Sequence, residues 1–132
     1  RLHLDDMILI KDNHLTVIGN IKEAVKIAKK KTLFSKKIEV EVSSVNEAVE
    51  AARAGADIIM LDNFTPKDVK KTVEKLRKER LRGKVLIEAS GKINEENILE
   101  FAAAGVDIIS LGSLTHSVKA LDVSLEIIET KR

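Results

Sequence analysis

The sequence predicts an α/β protein: a partial, TIM-like (β/α) barrel of five parallel βα steps followed by a C-terminal edge strand. Three observations predict it. Short β-branched runs alternate with amphipathic helical stretches, and no long linker separates them. A block also repeats: "ARAGADIIML" from Ala52 to Leu61 returns 50 residues later as "AAAGVDIISL" from Ala102 to Leu111, and "EVSS" from Glu41 parallels "EASG" from Glu88 at an offset of 47. Finally, an eight-step barrel takes about 200–250 residues, whereas this chain has 132 and holds five steps. The whole of 1–132 therefore reads as the C-terminal barrel portion of a longer chain, with the missing steps expected before Arg1.

The elements follow in order. "MILI" at 7–10 is the first strand, and "IKDNH" after it reads as a turn in which His14 either caps or lines a site. Helix is expected over 20–31, opened by Asn20 as cap. Strand 38–42 alternates Ile38, Val40 and Val42 with Glu39 and Glu41, so the two carboxylates share one side and the aliphatic residues face the helices. Helix 45–54 has Asn46 as its candidate cap and Gly55 after its end; strand 57–61 follows. Pro66 suits the first turn of a helix over 67–80, in which Val69, Val73 and Leu76 fall at helical spacing and the charges form a solvated face. Strand 85–88, a helix over 95–104 with Asn94 as cap, Gly105, and strand 107–111 complete the repeat. In 121–127 the apolar Leu121, Val123, Leu125 and Ile127 alternate with polar residues, the period of a half-buried edge strand.

Composition narrows the chemistry. With 44% hydrophobic residues the chain can bury a core, and no apolar run approaches the roughly 20 residues of a membrane span. Cysteine is absent, which excludes disulfides and thiolate chemistry and makes a cytoplasmic location the expectation. Twenty-three basic against 21 acidic residues leave a net charge of +2, and three Phe are the only aromatics. Neither a polyanion footprint nor a stacking platform for nucleic acid is present.

In a barrel the chemistry sits where strands end. Lys11 follows the first strand, Glu39 and Glu41 lie on the second, Asp62 and Asn63 close the third, Glu88, Ser90 and Gly91 the fourth, and Gly112 the fifth. Two inward carboxylates are costly to bury without a cation, so the Glu39–Glu41 pair binds metal, holds sugar hydroxyls or pairs with Lys11 or Lys92. Asp57 and Asp107, at the opposite ends of their strands, read as structural turn residues. "SGK" at 90–92 and "GSLTHS" at 112–117 offer small residues, hydroxyls and free N–H groups after the last two strands, where barrels often bind phosphate.

"LDDMILIKDNH", "IEVEV", "DIIMLDN", "EASGKI" and "GVDIISLGSLTHS", in this order, resemble the C-terminal barrel portion of the quinolinate phosphoribosyltransferase family, also called nicotinate-nucleotide pyrophosphorylases (carboxylating). The resemblance implies a pentosyltransferase of NAD biosynthesis that joins quinolinate to 5-phosphoribosyl-1-pyrophosphate (PRPP) with Mg2+, yielding nicotinate mononucleotide, pyrophosphate and CO2. It also implies a homodimer with sites at the interface. By motif, Arg1 and Lys11 match residues that hold the quinolinate carboxylates, and Glu41 and Asp62 match acidic residues near the ribose hydroxyls and the Mg-pyrophosphate. Ser90, Gly91 and Gly112 match positions that receive the 5-phosphate, with Ser113 and His116 nearby. Two departures stand out: His3 replaces the glycine of the family's "RxGL" pattern, and Lys92 replaces a second glycine after "SG". The family's upstream Thr-Arg-Lys motif and N-terminal domain do not occur in these residues, so the isolated chain is expected to be inactive. A related phosphoribosyltransferase acting on another base, or a non-catalytic phosphate-binding β/α fragment, is the alternative reading.

Overall fold

The computed structural model describes residues 7–31 and 36–112. Strands β1 (Met7–Ile10), β2 (Lys37–Val42), β3 (Ile58–Asp62), β4 (Leu86–Ser90) and β5 (Ile108–Ser110) form one parallel sheet, in spatial order β1-β2-β3-β4-β5. Spatial order equal to chain order is the order of a barrel wall; a doubly wound sheet reverses direction at a switch point. All five expected strands are present. The expected edge strand at 121–127 lies outside the described residues.

Helices α2 (Ile21–Lys31), α3 (Val45–Ala54), α4 (Pro66–Lys78) and α5 (Ile98–Ala103) connect the strands and touch one another in chain order. They cover one face only. Ile10, Ile38, Val40, Val42, Ile59, Leu61, Ile87 and Ala89 pack with Val25, Val49, Val69, Val73 and Leu76 of the helices in a single core. Burying each large aliphatic side chain of this set contributes about 1.5–3 kcal/mol. Strand alternation sends Glu39, Glu41, Met60, Asp62, Glu88, Ser90 and Ser110 to the other face, as the sequence pattern requires. No helix among the described residues is long and apolar enough to cross a membrane.

Three expectations about helices and their caps change. The stretch after β1 is not a plain turn but a helix, α1 (Asp12–Ile18), closed by Gly19 at φ +99°. His14 caps it: its Nδ1 accepts the Lys11 backbone N–H at 3.1 Å. The cap of α3 is Ser44 rather than Asn46. Ser44 Oγ accepts the Glu47 N–H at 3.2 Å, while Glu47 Oε2 accepts the Ser43 and Ser44 N–H groups at 2.8 and 3.1 Å. Asn46, already inside the helix, accepts from Lys75 Nζ. The last helix begins at Ile98, three residues later than the expected 95, because Asn94 Oδ1 accepts from the N–H groups of Glu96 and Asn97 and holds a turn there. Asn20 and Pro66 do open α2 and α4: Asn20 Oδ1 accepts the Glu23 N–H at 2.8 Å, and Thr65 precedes Pro66 as the cap.

The repeat has a structural frame. Asp57 Oδ2 accepts the Ile38 N–H at 2.9 Å, and its own N–H donates to Ile38 O at 2.9 Å. Asp107 does the same to Ile87, at 2.7 and 2.9 Å. The structural-turn reading of both aspartates therefore holds. The clamped residues lie 19 positions before Asp57 and 20 before Asp107. This frame corrects the expected 47-residue match of Glu41 to Glu88. Glu39 pairs with Ile58 and Glu88 with Ile108, so Glu39 is the counterpart of Glu88, and Glu41 is the counterpart of Ser90.

Candidate functional site

Parallel strands deliver all their C-terminal ends to one edge, and there the structure assembles Lys11, Glu41, Asp62, Ser90, Gly91 and Gly112. Lys11, at the junction of β1 and α1, has its Nζ 3.8 Å from Glu41 Oε2. The lysine side chain is 53% exposed and the glutamate 19%, so the anion is held at the wall while the cation remains reachable by an anionic ligand. Of the partners the sequence offered for the carboxylates, Lys11 is thus one; Lys92 is exposed and lies beyond β4. Glu39, one pleat deeper, is fully buried, and Glu88 nearly so. Glu88 Oε1 accepts from Ser110 Oγ at 2.5 Å, tying β5 to β4 beneath the rim.

Asp62 ends β3 opposite Ser90 of β4. The next residue, Asn63, takes the left-handed conformation at φ +55°. Its N–H donates to Ser90 O at 2.9 Å and its Nδ2 to Asp62 Oδ2 at 2.9 Å. Gly91 has φ +83°, and a Cβ there would lie 2.5 Å from Asn63 Oδ1; only glycine fits. Lys92 follows in the left-handed region at φ +54°, which explains why a glycine suits that position better. Gly112 stands in open space at the end of β5. Arg1, Ser113 and His116 lie outside the described residues. His14 is spent on the α1 cap.

Beside the rim, Ser43, Ser44, Asp62, Asn63 and Asp68 border an open cleft of about 300 Å³. Thr65 Oγ1, donating at 2.7 Å, and then Lys71, at 3.1 Å, hold the Asp68 carboxyl below its ordinary value. A hollow of about 230 Å³ at the opposite ends of the strands is bordered by Lys37, Asp57, Lys84 and Leu86, and its Asp57 belongs to the strand clamp, paired with Lys37. There Arg82 donates to Asp107 at 2.8 Å. Burial would raise the Asp107 carboxyl, but the bonds from Arg82 and the Ile87 N–H outweigh it and leave the group below the usual carboxylate range.

Sequence reasoning placed Asn63 at the rim without its contacts and passed over the Glu88–Ser110 bond. An Asn directly after a strand and before a Thr-Pro helix start was the available signal for the first, since Asn tolerates the left-handed region. The second needed the corrected register.

The oxygen donors suit a hard cation in part. Among the described residues no group of three or more His, Asp or Glu is arranged to hold a metal. Glu41 and Asp62 supply carboxylates at the rim, and Mg2+ is commonly held by one or two carboxylates together with substrate phosphates. That donor set fits an ion arriving with a pyrophosphate.

Residues 1–126 match the family model described as quinolinate phosphoribosyl transferase, C-terminal domain. Over 129 residues, 98% of this chain and 49% of the relative, the chain is 53% identical to a probable nicotinate-nucleotide pyrophosphorylase [carboxylating] of Archaeoglobus fulgidus. It is 41% identical to the human nicotinate-nucleotide pyrophosphorylase [carboxylating] over 96% of this chain and 42% of that protein. The solved structure of the nicotinate-nucleotide pyrophosphorylase from Francisella tularensis superposes with a TM-score of 0.77 and 44% identity, covering 96% of this chain and 43% of that one. The chain spans about half the length of the curated relatives it matches.

Proposed function

The chain belongs to the quinolinate phosphoribosyl transferase family, and from that premise we propose that it supplies the barrel-wall half of a carboxylating phosphoribosyltransferase of NAD biosynthesis. The reaction joins quinolinate to PRPP and releases nicotinate mononucleotide, pyrophosphate and CO2. The observation that carries the reading is the sorting of charge along one rim: Lys11 and Glu41 at β1 and β2, Asp62 at β3, then the uncharged Ser90–Gly91 and Gly112 loops. A phosphoribosyl donor needs that order, with cation and carboxylates around the reacting carbon and small N–H-bearing loops around the distal phosphate.

The ring nitrogen of quinolinate forms the new bond to the anomeric carbon as the bond to pyrophosphate breaks, and positive charge grows on the sugar. The Glu41 and Asp62 carboxylates stabilise that charge. Lys11, with Arg1, holds the dicarboxylate in line with the anomeric carbon, where positioning supplies much of the rate. The positively charged ring then accepts the electron pair of the breaking carbon–carboxylate bond, CO2 leaves, and the ring carbon takes a proton. Glu41 and Asp62 would hold Mg2+ together with the donor's phosphates, and the ion would supply charge neutralisation for the leaving group. The working protein is a homodimer and cytoplasmic, in keeping with the family.

The protein expressed from the whole reading frame that contains this chain is the material to test. With quinolinate, PRPP and Mg2+ it should release CO2 and nicotinate mononucleotide, and nicotinate should not replace quinolinate. Equal turnover of nicotinate without CO2 would transfer the chain to a phosphoribosyltransferase for another base. The 132-residue chain by itself should be inactive; steady product formation by it would refute that part.

A further inference from the structure

Asn63 is a non-glycine residue held in the left-handed conformation, and three contacts converge on it. Its N–H extends the β3–β4 ladder one residue beyond the Asp62–Ser90 pair. Its Nδ2 donates to the Asp62 carboxylate at 2.9 Å. Its Oδ1 lies against Gly91, closer than any side chain at that position would allow. The amide orientation is dictated by the carboxylate, since only the NH2 group can donate to it. One exposed side chain thus spans the gap between the acidic end of β3 and the loop after β4.

We propose that Asn63 is a positioning residue that sets the separation between the Asp62 carboxylate and the Ser90–Gly91 loop, so that a phosphoribosyl donor is gripped at its ribose and its 5-phosphate together. The proposal rests on the function proposed above, in which those two elements hold the two ends of one ligand. It predicts a selective fault: loosening Asn63 weakens the donor and spares quinolinate, whose Lys11 end of the site lies two strands away.

Two variants of the complete protein separate backbone from amide. Asn63→Gly keeps the left-handed backbone and the N–H to Ser90 but deletes the bridge. Asn63→Asp keeps the shape and replaces the donor by a second carboxylate next to Asp62, which repels it. Asn63→Gly should raise KM for PRPP about tenfold, and Asn63→Asp up to about 100-fold, the scale of loss expected when reacting groups are misplaced. KM for quinolinate should stay within about twofold in both, the mark of a fault confined to one substrate. Lowering the pH should recover Asn63→Asp relative to wild type, because a protonated carboxyl donates as the amide did, and should not recover Asn63→Gly. Unchanged KM for PRPP, equal loss of both substrates, or no recovery of Asn63→Asp at low pH would overturn the proposal while leaving the function standing. A wild-type protein that makes no nicotinate mononucleotide would remove the function and this inference with it. Should Asn63→Gly fail to fold, the isosteric Asn63→Asp decides.

Discussion

The half-repeat β2–α3–β3 and the half-repeat β4–α5–β5 share one base and differ at the rim. At the base, Asp57 grips Ile38 and Asp107 grips Ile87 with the same pair of bonds. At the rim, the first unit presents Glu41 and Asp62, and the second presents Ser90 and Gly112. Between them the helices differ too: α3 has ten residues and a two-way cap, and α5 has six and a cap residue, Asn97, whose side chain bonds outside the helix rather than capping it. The two units are alike where the frame fixes strand register, and they differ at the strand ends that form the rim.

The sharpest way to break this comparison is to make the first rim resemble the second. Glu41→Ser installs the residue found at the equivalent place in β4 and removes the anion beside Lys11. In the complete protein, on the function proposed above, it should lower kcat/KM about 100-fold or more, the scale of losing one electrostatic contact to developing charge. Lys11→Ala should cost a similar factor, read as a raised KM for quinolinate or a lowered kcat. Steady-state kinetics with both substrates varied would show it, and near-normal values would mean that the rim charges are incidental.

The bases should be less alike in energy than in geometry. The Arg82–Asp107 pair is 20% and 30% exposed with a 2.8 Å contact, against 64% and 36% at 3.4 Å for Lys37–Asp57. Asp107→Ala should destabilise by about 3 kcal/mol, because a part-buried N–H and a guanidinium lose their acceptor. Asp57→Ala should cost about 1 kcal/mol, chiefly the Ile38 N–H bond. Urea unfolding of the two variants measures the difference. Asp107 also makes a pH prediction: its folded pKa lies below the unfolded carboxylate value of about 3.9. Its contribution is therefore complete above that value and is lost as pH falls through the lower, folded one. Asp107→Asn should flatten the acid limb of the stability curve over that window, and an unchanged limb would contradict the assignment.

The rim glycines divide in the same manner. Gly91→Ala places a methyl 2.5 Å from Asn63 Oδ1 at a positive φ, and should cost about 1–3 kcal/mol of stability as well as donor affinity. Gly112→Ala meets nothing within 4 Å and should be close to neutral in thermal melts. Lys92→Gly has the opposite sign: it relieves a left-handed residue and should stabilise by about 0.5–1 kcal/mol.

Much of this was legible in the chain itself, because the period-two alternation of 38–42 and the repeated glycine-to-aspartate turn report directly on which face and which end of a strand a residue occupies. The placement of Lys11, Glu41, Asp62 and Ser90 on one rim follows from those two signals. Helix α1 was not legible: it is short, ends in the β-branched Thr16, Val17 and Ile18, and leaves Val17 exposed, so no apolar period announces it. Asn46 looked like a cap because caps are read from residue type, and Ser44, two residues earlier, won through its reciprocal bond with Glu47. The role of Asn63 depends on a backbone angle and on a neighbour 27 residues on, at Ser90, which one-dimensional pattern cannot express.

The clamp spacing of 19 residues in one unit and 20 in the other shows where the fold tolerates a change of length. The units differ by one residue, yet a single-residue slip within β4 would turn Ser90 toward the helices and bring Ala89 to the ligand side. The one-residue difference therefore lies in the outer connection between the end of the first strand and the next clamp aspartate. The strands act as the ruled lines of the molecule, and the helices as margin, where insertions can accumulate without rewriting the text.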